Sequence, residues 1–436
     1  MTHAAGSLAR PREAATITEQ GARMMEHEPE FHEDAKNLSV VTGSAILAGL
    51  ITVGLLANAP MVAPETTVVR EIRPVVVEET RAPLSGINRI YGTVTTVHGG
   101  AFTGYIRWDR NEGSWTDLLD ATKPRDQGGS SVSGIRFGHV DRIDVTGRSS
   151  ALLTLRNGEQ VELTASASDL GTGLRALRVD EGDGHVAEFE WRDLQSVDFE
   201  APGATAPSEV RMHGTVTTRD GMDFTGYVTW DVDEIYSTDI LDGDLAGRRL
   251  RIPFGDLRSI ERHSAGGSLV TLKTGEQVVL EGTNDVDSSI SGIEVSDATL
   301  GAVKLGWNDF DHVRFFEAED EIAAARFDGG APIRGTVYTE GGEAYDGQIT
   351  WDADETHTWE ILNGDIRDIE FHVEFGNIEQ IEKTSRGALV ALRDGRAFEL
   401  TGSNDVDRGN RGIVIRTDGR DFEVDWRDFV RVEFSR

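Results

Sequence analysis

The feature that most restricts this chain is an internal repeat. Gly92-Thr-Val-Thr-Thr leads into Phe102-Thr-Gly-Tyr-Ile-Arg-Trp108-Asp109, and Gly214-Thr-Val-Thr-Thr leads into Phe224-Thr-Gly-Tyr-Val-Thr-Trp230-Asp231. Gly335-Thr-Val-Tyr-Thr leads likewise into Tyr345-Asp-Gly-Gln-Ile-Thr-Trp351-Asp352. The period is nearly constant at about 120 residues, the mark of one folding unit used three times. Each copy closes on a related segment, at Trp191-Arg-Asp193, Trp307-Asn-Asp309 and Trp426-Arg-Asp428. The repeats define β modules over 89–199, 210–316 and 332–436. They are separated by small, polar, Pro-containing stretches, Glu200 to Glu209 and Ala318 to Pro332.

Each module is itself doubled. In the second, Thr215-Val-Thr-Thr-Arg-Asp-Gly is echoed by Leu269-Val-Thr-Leu-Lys-Thr-Gly, and Phe254-Gly-Asp-Leu257 by Trp307-Asn-Asp-Phe310. Alternating strands joined through Asp-Gly, Asn-Gly, Thr-Gly or Gly-Gly predict β-hairpins. About five strands per half form a small barrel or sandwich. As an architecture, the half-unit is similar to the strongly bent barrels of SH3-like or Sm-like type. The 49 glycines and 11 prolines agree with an all-β chain rich in turns.

Charge removes several functions. Asp and Glu number 76 against 43 Lys and Arg, a formal charge of −33, which repels nucleic acid and anionic lipid and favours cations or basic protein surfaces. The chain has no cysteine, so thiolate metal sites, cysteine nucleophiles and disulfides are excluded.

Residues 1–37 read as a disordered acidic tail. Leu38 to Ala57, LSVVTGSAILAGLITVGLLA, carries no charge and has the length a helix needs to cross a bilayer. It reads as a transmembrane signal anchor, with cleavage after Ala57-Asn58-Ala59 as the alternative. Residues 58–88, with Pro60, Pro64, Pro74 and Pro83, form a stalk. Lys and Arg flank the span evenly, so the expected periplasmic or extracellular placement of the modules rests on the behaviour of short N-terminal anchors.

Two acidic patterns invite a cation. Asp231, Asp233 and Glu234 follow one tryptophan and Asp352, Asp354 and Glu355 another, while Asn284, Asp285 and Asp287 are matched by Asn404, Asp405 and Asp407. Alternate carboxylates suit calcium, the one cofactor the sequence suggests, although the EF-hand order is absent and solvated turns account for the same residues. The first module has Asp109-Arg-Asn-Glu112 and Ala165-Ser-Ala-Ser-Asp169 instead, so a calcium site belongs to modules two and three.

Tryptophans 108, 230, 351, 191, 307 and 426 recur in every copy, as core residues do. Trp115 and Trp359 lie in variable loops, 111–133 and 355–369, and are the candidate exposed partner contacts. No HExxH, nucleophile elbow, P-loop or dinucleotide fingerprint is present, so catalysis is not expected. The sequence thus describes a membrane-anchored repeat protein acting as a scaffold or accessory interaction subunit of a membrane or envelope complex. The alternative is a calcium- or carbohydrate-binding ectodomain.

Overall fold

A computed structural model describes residues 86–435 apart from 125–129, 166–167, 183, 204–205 and 320. The tail, the apolar segment 38–57 and nearly all of the stalk lie outside the described residues. Among those described, no helix is long and apolar enough to cross a membrane.

The described residues are all-β, as the hairpin signals require. Module one supplies β1 (Tyr91–Thr96), β2 (Ala101–Trp108), β3 (Leu118–Pro124), β4 (Ser130–Arg136), β5 (Val140–Val145), β6 (Ser150–Leu155), β7 (Gln160–Thr164), β8 (Leu177–Gly182), β9 (His185–Phe189) and β10 (Leu194–Phe199). Module two repeats the set as β11 (His213–Thr218), β12 (Asp223–Trp230), β13 (Ile240–Leu245), β14 (Arg248–Pro253), β15 (Leu257–Ser264), β16 (Gly267–Leu272), β17 (Gln277–Glu281), β18 (Ile293–Asp297), β19 (Gly301–Leu305) and β20 (Phe310–Phe315). Module three follows as β21 (Arg334–Thr339), β22 (Ala344–Thr350), β23 (Ile361–Ile366), β24 (Ile369–Glu374), β25 (Ile378–Lys383), β26 (Ala388–Leu392), β27 (Ala397–Leu400), β28 (Ile413–Thr417), β29 (Arg420–Val424) and β30 (Phe429–Phe434).

In module three the β23–β24 hairpin lies in the sheet of module two, but in modules one and two both halves share one complete antiparallel sheet. In module one its order is β4-β3-β7-β6-β5-β10-β1-β2-β8-β9. The closing strands of the two halves, β5 and β10, pair at the centre, and each half's first hairpin runs on to the other half's second hairpin. The halves have therefore exchanged strands. Residues from β3 and β4 at one end (Leu119, Ile135) share a core with Val179 of β8 towards the other, so the sheet curls around a single interior. The recurring glycine that opens each module permits close packing of this centre. A Cβ on Gly92 would lie 2.2 Å from the Asp198 carbonyl, and on Gly214 and Gly335 it would meet the equivalent carbonyls at 2.4 and 2.3 Å.

The described residues lie in one compact unit, in which each module touches both others. Modules two and three join by strand pairing, with β19 against β24 to give a twelve-stranded sheet. Modules one and two meet through a buried ion pair, Arg211 to Asp117 at 3.2 Å, and through Arg107 to Asp239 at 2.9 Å. Modules one and three share Arg136 and Glu374 at 3.1 Å, and Phe327 from the linker packs into module one's core.

All six repeated tryptophans are buried. So are the two placed by the sequence on the surface, which corrects that reading: Trp115 is 0% and Trp359 1% exposed. Trp115 donates its Nε1–H to the Ile87 carbonyl at 2.9 Å and meets Phe199 edge-on. Trp359 belongs to module three by sequence but packs into module one's core, with Lys123 of β3 over its ring. The two loops differ because Trp115 closes module one's own core against Ile87, whereas Trp359 reaches across from module three.

Candidate functional site

The acidic turns after Trp108, Trp230 and Trp351 share one geometry. Trp230 and Glu234 exchange backbone hydrogen bonds at 2.8 and 2.9 Å, and Asp231 and Val232 between them take φ of 47° and 60°. Asp109 and Arg110, and Asp352 and Ala353, take the same left-handed conformation. A β-branched residue such as Val232 adopts it only under constraint from its surroundings.

That constraint comes from the second acidic loop. The Trp108, Trp230 and Trp351 Nε1–H groups donate to the carbonyls of Asp169, Asp285 and Asp405 at 2.8, 2.8 and 2.9 Å. The carboxylates of the same three aspartates accept backbone N–H groups from Asp120, Asp242 and Asn363. Asn284 and Asn404 donate through their side-chain amides to Asp231 and Asp352. The two patterns that the sequence separates by some fifty residues are thus one site in each module. Asp287 and Asp407 stand apart, each folded back in a local turn onto Ser289 or Gly409.

One residue the sequence reading passed over distinguishes the copies. The backbone N–H groups of Arg175, Ser291 and Arg411 donate to Asp109, Asp231 and Asp352, which makes these positions equivalent. In module one the Arg175 guanidinium reaches Asp109 at 3.1 Å. In module three Arg411 bonds both Asp352 and Asp354. Ser291 brings no charge to module two. There, oxygens of Asp231, Asp233 and Glu234 lie within 4.8 Å of one another, as do those of Asp352, Asp354 and Glu355.

The glutamate that closes each turn is buried among like charges. Oε2 of Glu112, Glu234 and Glu355 is buried without a hydrogen-bond partner among the described residues. Burial, then the carboxylates of Asp233, Asp285, Asp231 and Asp239, push the Glu234 pKa up to about 9. Burial and neighbouring acids also hold Glu112 and Glu355 well above the ordinary carboxyl range. Burial raises Asp285 to about 6 and Asp405 to about 7, against the pull of the backbone donors from Asp242 and Asn363. These groups are protonated in the folded chain at a pH where the unfolded chain has released its protons. Their stabilising effect is complete below the ordinary carboxyl pKa and is lost as pH rises, for Glu234 progressively from 4.5 to about 9.

Comparison with protein families, with curated proteins and with solved structures finds no match to this chain.

Proposed function

We propose that the modules form a non-catalytic interaction scaffold, anchored in a membrane through residues 38–57 and displayed on its periplasmic or extracellular side as an accessory subunit of a larger complex. The observation that carries this reading is the locking of three repeats against one another through buried charges and shared strands. Repetition is spent here on one broad surface of fixed geometry. In the same reading, each module descends from two SH3-like or Sm-like half-units that exchanged hairpins. Affinity capture of the full chain from gently solubilised native membranes is the test. Recovery at constant stoichiometry with a membrane complex is expected; recovery from the soluble fraction with residues 38–57 intact overturns the reading.

A second reading, a calcium site in module two, is favoured by Ser291 occupying the place of a neutralising arginine. Because every repeated tryptophan is buried, a cation suits this reading better than a stacked sugar. Raising the pH from 5 to 8 is expected to lower the melting temperature, since the raised carboxyls must ionise or draw protons from a dilute solution. Millimolar calcium then restores a few degrees at pH 8, and Ser291→Arg restores them without calcium. A calcium response undiminished in Ser291→Arg sinks the site.

A further inference from the structure

We propose that the free edge of β29 docks on the free edge of β14 in a second copy of this chain, so that molecules associate head to tail. The template is inside the molecule. At the junction of modules two and three, β19 pairs antiparallel with β24 through Gly301↔Val373, Ala302↔His372, Val303↔Phe371 and Lys304↔Glu370. Module three carries its own counterpart of β19, which is β29, and module two its own counterpart of β24, which is β14. Each is the last strand of its sheet.

The registers make the correspondence residue by residue. β18 pairs with β19 from Ile293↔Leu305, and β28 with β29 from Ile413↔Val424. Asp421, Phe422 and Glu423 therefore stand where Ala302, Val303 and Lys304 stand. β23 pairs with β24 from Ile361↔Glu374, and β13 with β14 from Ile240↔Pro253. Arg251, Leu250 and Arg249 therefore take the places of His372, Phe371 and Glu370. Backbone groups that meet a partner strand in the internal junction are left facing outward on β14 and β29.

Superimposing the free edges on the internal junction puts Asp421 opposite Arg251, Phe422 opposite Leu250, and Glu423 opposite Arg249. The Lys304 and Glu370 pair of the template recurs with its charges reversed, beside a second acid–base pair and an apolar rung. Directly opposed charges of opposite sign stabilise a pairing, and like charges oppose it. β14 carries Arg248, Arg249 and Arg251 within six residues, in a chain of net charge −33. The present partners of these groups are weak competitors. Arg249 and Arg251, 52% and 69% exposed, pair along their own hairpin with Asp244 and Asp242, and Asp421, 57% exposed, pairs with Arg416. β9, the corresponding edge of module one, fits less well, with Val186 in place of Asp421 and Ala187 in place of Phe422.

The match ends at Arg420. Its counterpart Gly301, at φ 146°, sits where a Cβ would be 1.9 Å from the His372 carbonyl. The intermolecular ladder therefore runs over Asp421–Glu423 alone, and the contact is modest and salt-sensitive. Because it joins two different edges, every added copy leaves one β14 and one β29 free, so assembly continues beyond the dimer.

Sedimentation of the full chain in mild detergent, over a concentration series reaching on the order of 100 µM, reads the association. Wild type forms oligomers that weaken with salt. Arg249→Glu with Arg251→Glu weakens association at least about tenfold, and so does Asp421→Arg with Glu423→Arg, while an equimolar mixture of the two regains it. The absence of cysteine adds a measurement that does not depend on charge: chains carrying Arg249→Cys and Glu423→Cys, mixed and oxidised, yield a covalent heterodimer. A wild-type monomer throughout the series, association indifferent to both reversals, a mixture that stays monomeric, or no cross-link overturns the proposal. In the first three cases edge charge serves only to keep the sheets apart.

Discussion

Arg211→Met is expected to destabilise the three-module unit by about 3–5 kcal/mol, the usual cost of removing one member of a buried ion pair. The Arg211 side chain is 0% and that of Asp117 5% exposed, and their separation is 3.2 Å. Arg211 also donates to the Val228 and Ile235 carbonyls and to Thr229 Oγ1, so its loss orphans several acceptors at once. Asp117 meanwhile accepts the N–H groups of Gly113 and Ser114, each at 2.8 Å, and shapes the loop that module two contacts. Urea denaturation of Arg211→Met, Asp117→Asn and the double variant measures the coupling. The double variant should be clearly less destabilised than the sum of the two singles, because each single change already breaks the pair. Arg142 with Asp144 and Asp198 provides the contrast. Those side chains are more than a third exposed, and replacing Arg142 should cost under about 1 kcal/mol. Strict additivity at Arg211 and Asp117 would show that the two do not work together.

Arg211 also marks where the sequence stops being informative. The repeat, the hairpins and the all-β class are legible because each is written in local spacing: alternation within a strand, and Asx-Gly or Thr-Gly at its turn. The module-opening glycines are visible through their recurrence, but their reason is not local, since Gly92, Gly214 and Gly335 each meet a carbonyl of the module's last strand. Partnership between strands is not local. The two halves of a module resemble each other, so β2 has equivalent-looking neighbours in its own half and in the other, and alternation cannot say that it chose β8. The acidic loops show the same limit. Asp231 and Asp285 carry turn chemistry wherever they lie, and what brings their loops together is non-local: the Trp230 hydrogen bond to the Asp285 carbonyl and the bonds of Asn284 and Ser291 to Asp231. Trp115 and Trp359 misled because they lack counterparts in the other copies, which suggests free surface. They lack them because Trp115 packs inside module one against the chain at Ile87, while Trp359 crosses from module three into module one's core. A lone arginine such as Arg211 reads in sequence as solvated charge, and what buries it is a second module.

The repeated tryptophan is the other position where a single change should be severe, and its variants separate packing from hydrogen bonding. Trp351 is fully buried, with Phe429 at 5.4 Å and Trp426 at 6.2 Å between ring centroids. Trp351→Ala is expected to cost about 3–5 kcal/mol through lost contact and the cavity left behind. Trp351→Phe retains most of the apolar ring but leaves the Asp405 carbonyl without its donor, worth about 1–3 kcal/mol. The same ladder should hold at Trp108 and Trp230, whose Nε1–H groups make the equivalent bond. If tryptophan only filled space, Phe would cost a fraction of a kcal/mol at all three. Because that bond holds the second acidic loop against the first, Trp230→Phe carries a further consequence that stability does not report. Asn284 and Ser291 still reach Asp231, so the Asp285 loop is loosened rather than freed, and burial and like charge should press less on Glu234. Its carboxyl pKa should fall from about 9 towards the ordinary range, and carboxyl-resolved NMR titration would detect the change. An unmoved Glu234 titration alongside a lost 1–3 kcal/mol would mean that the tryptophan braces the module's interior without setting the electrostatics of the turn.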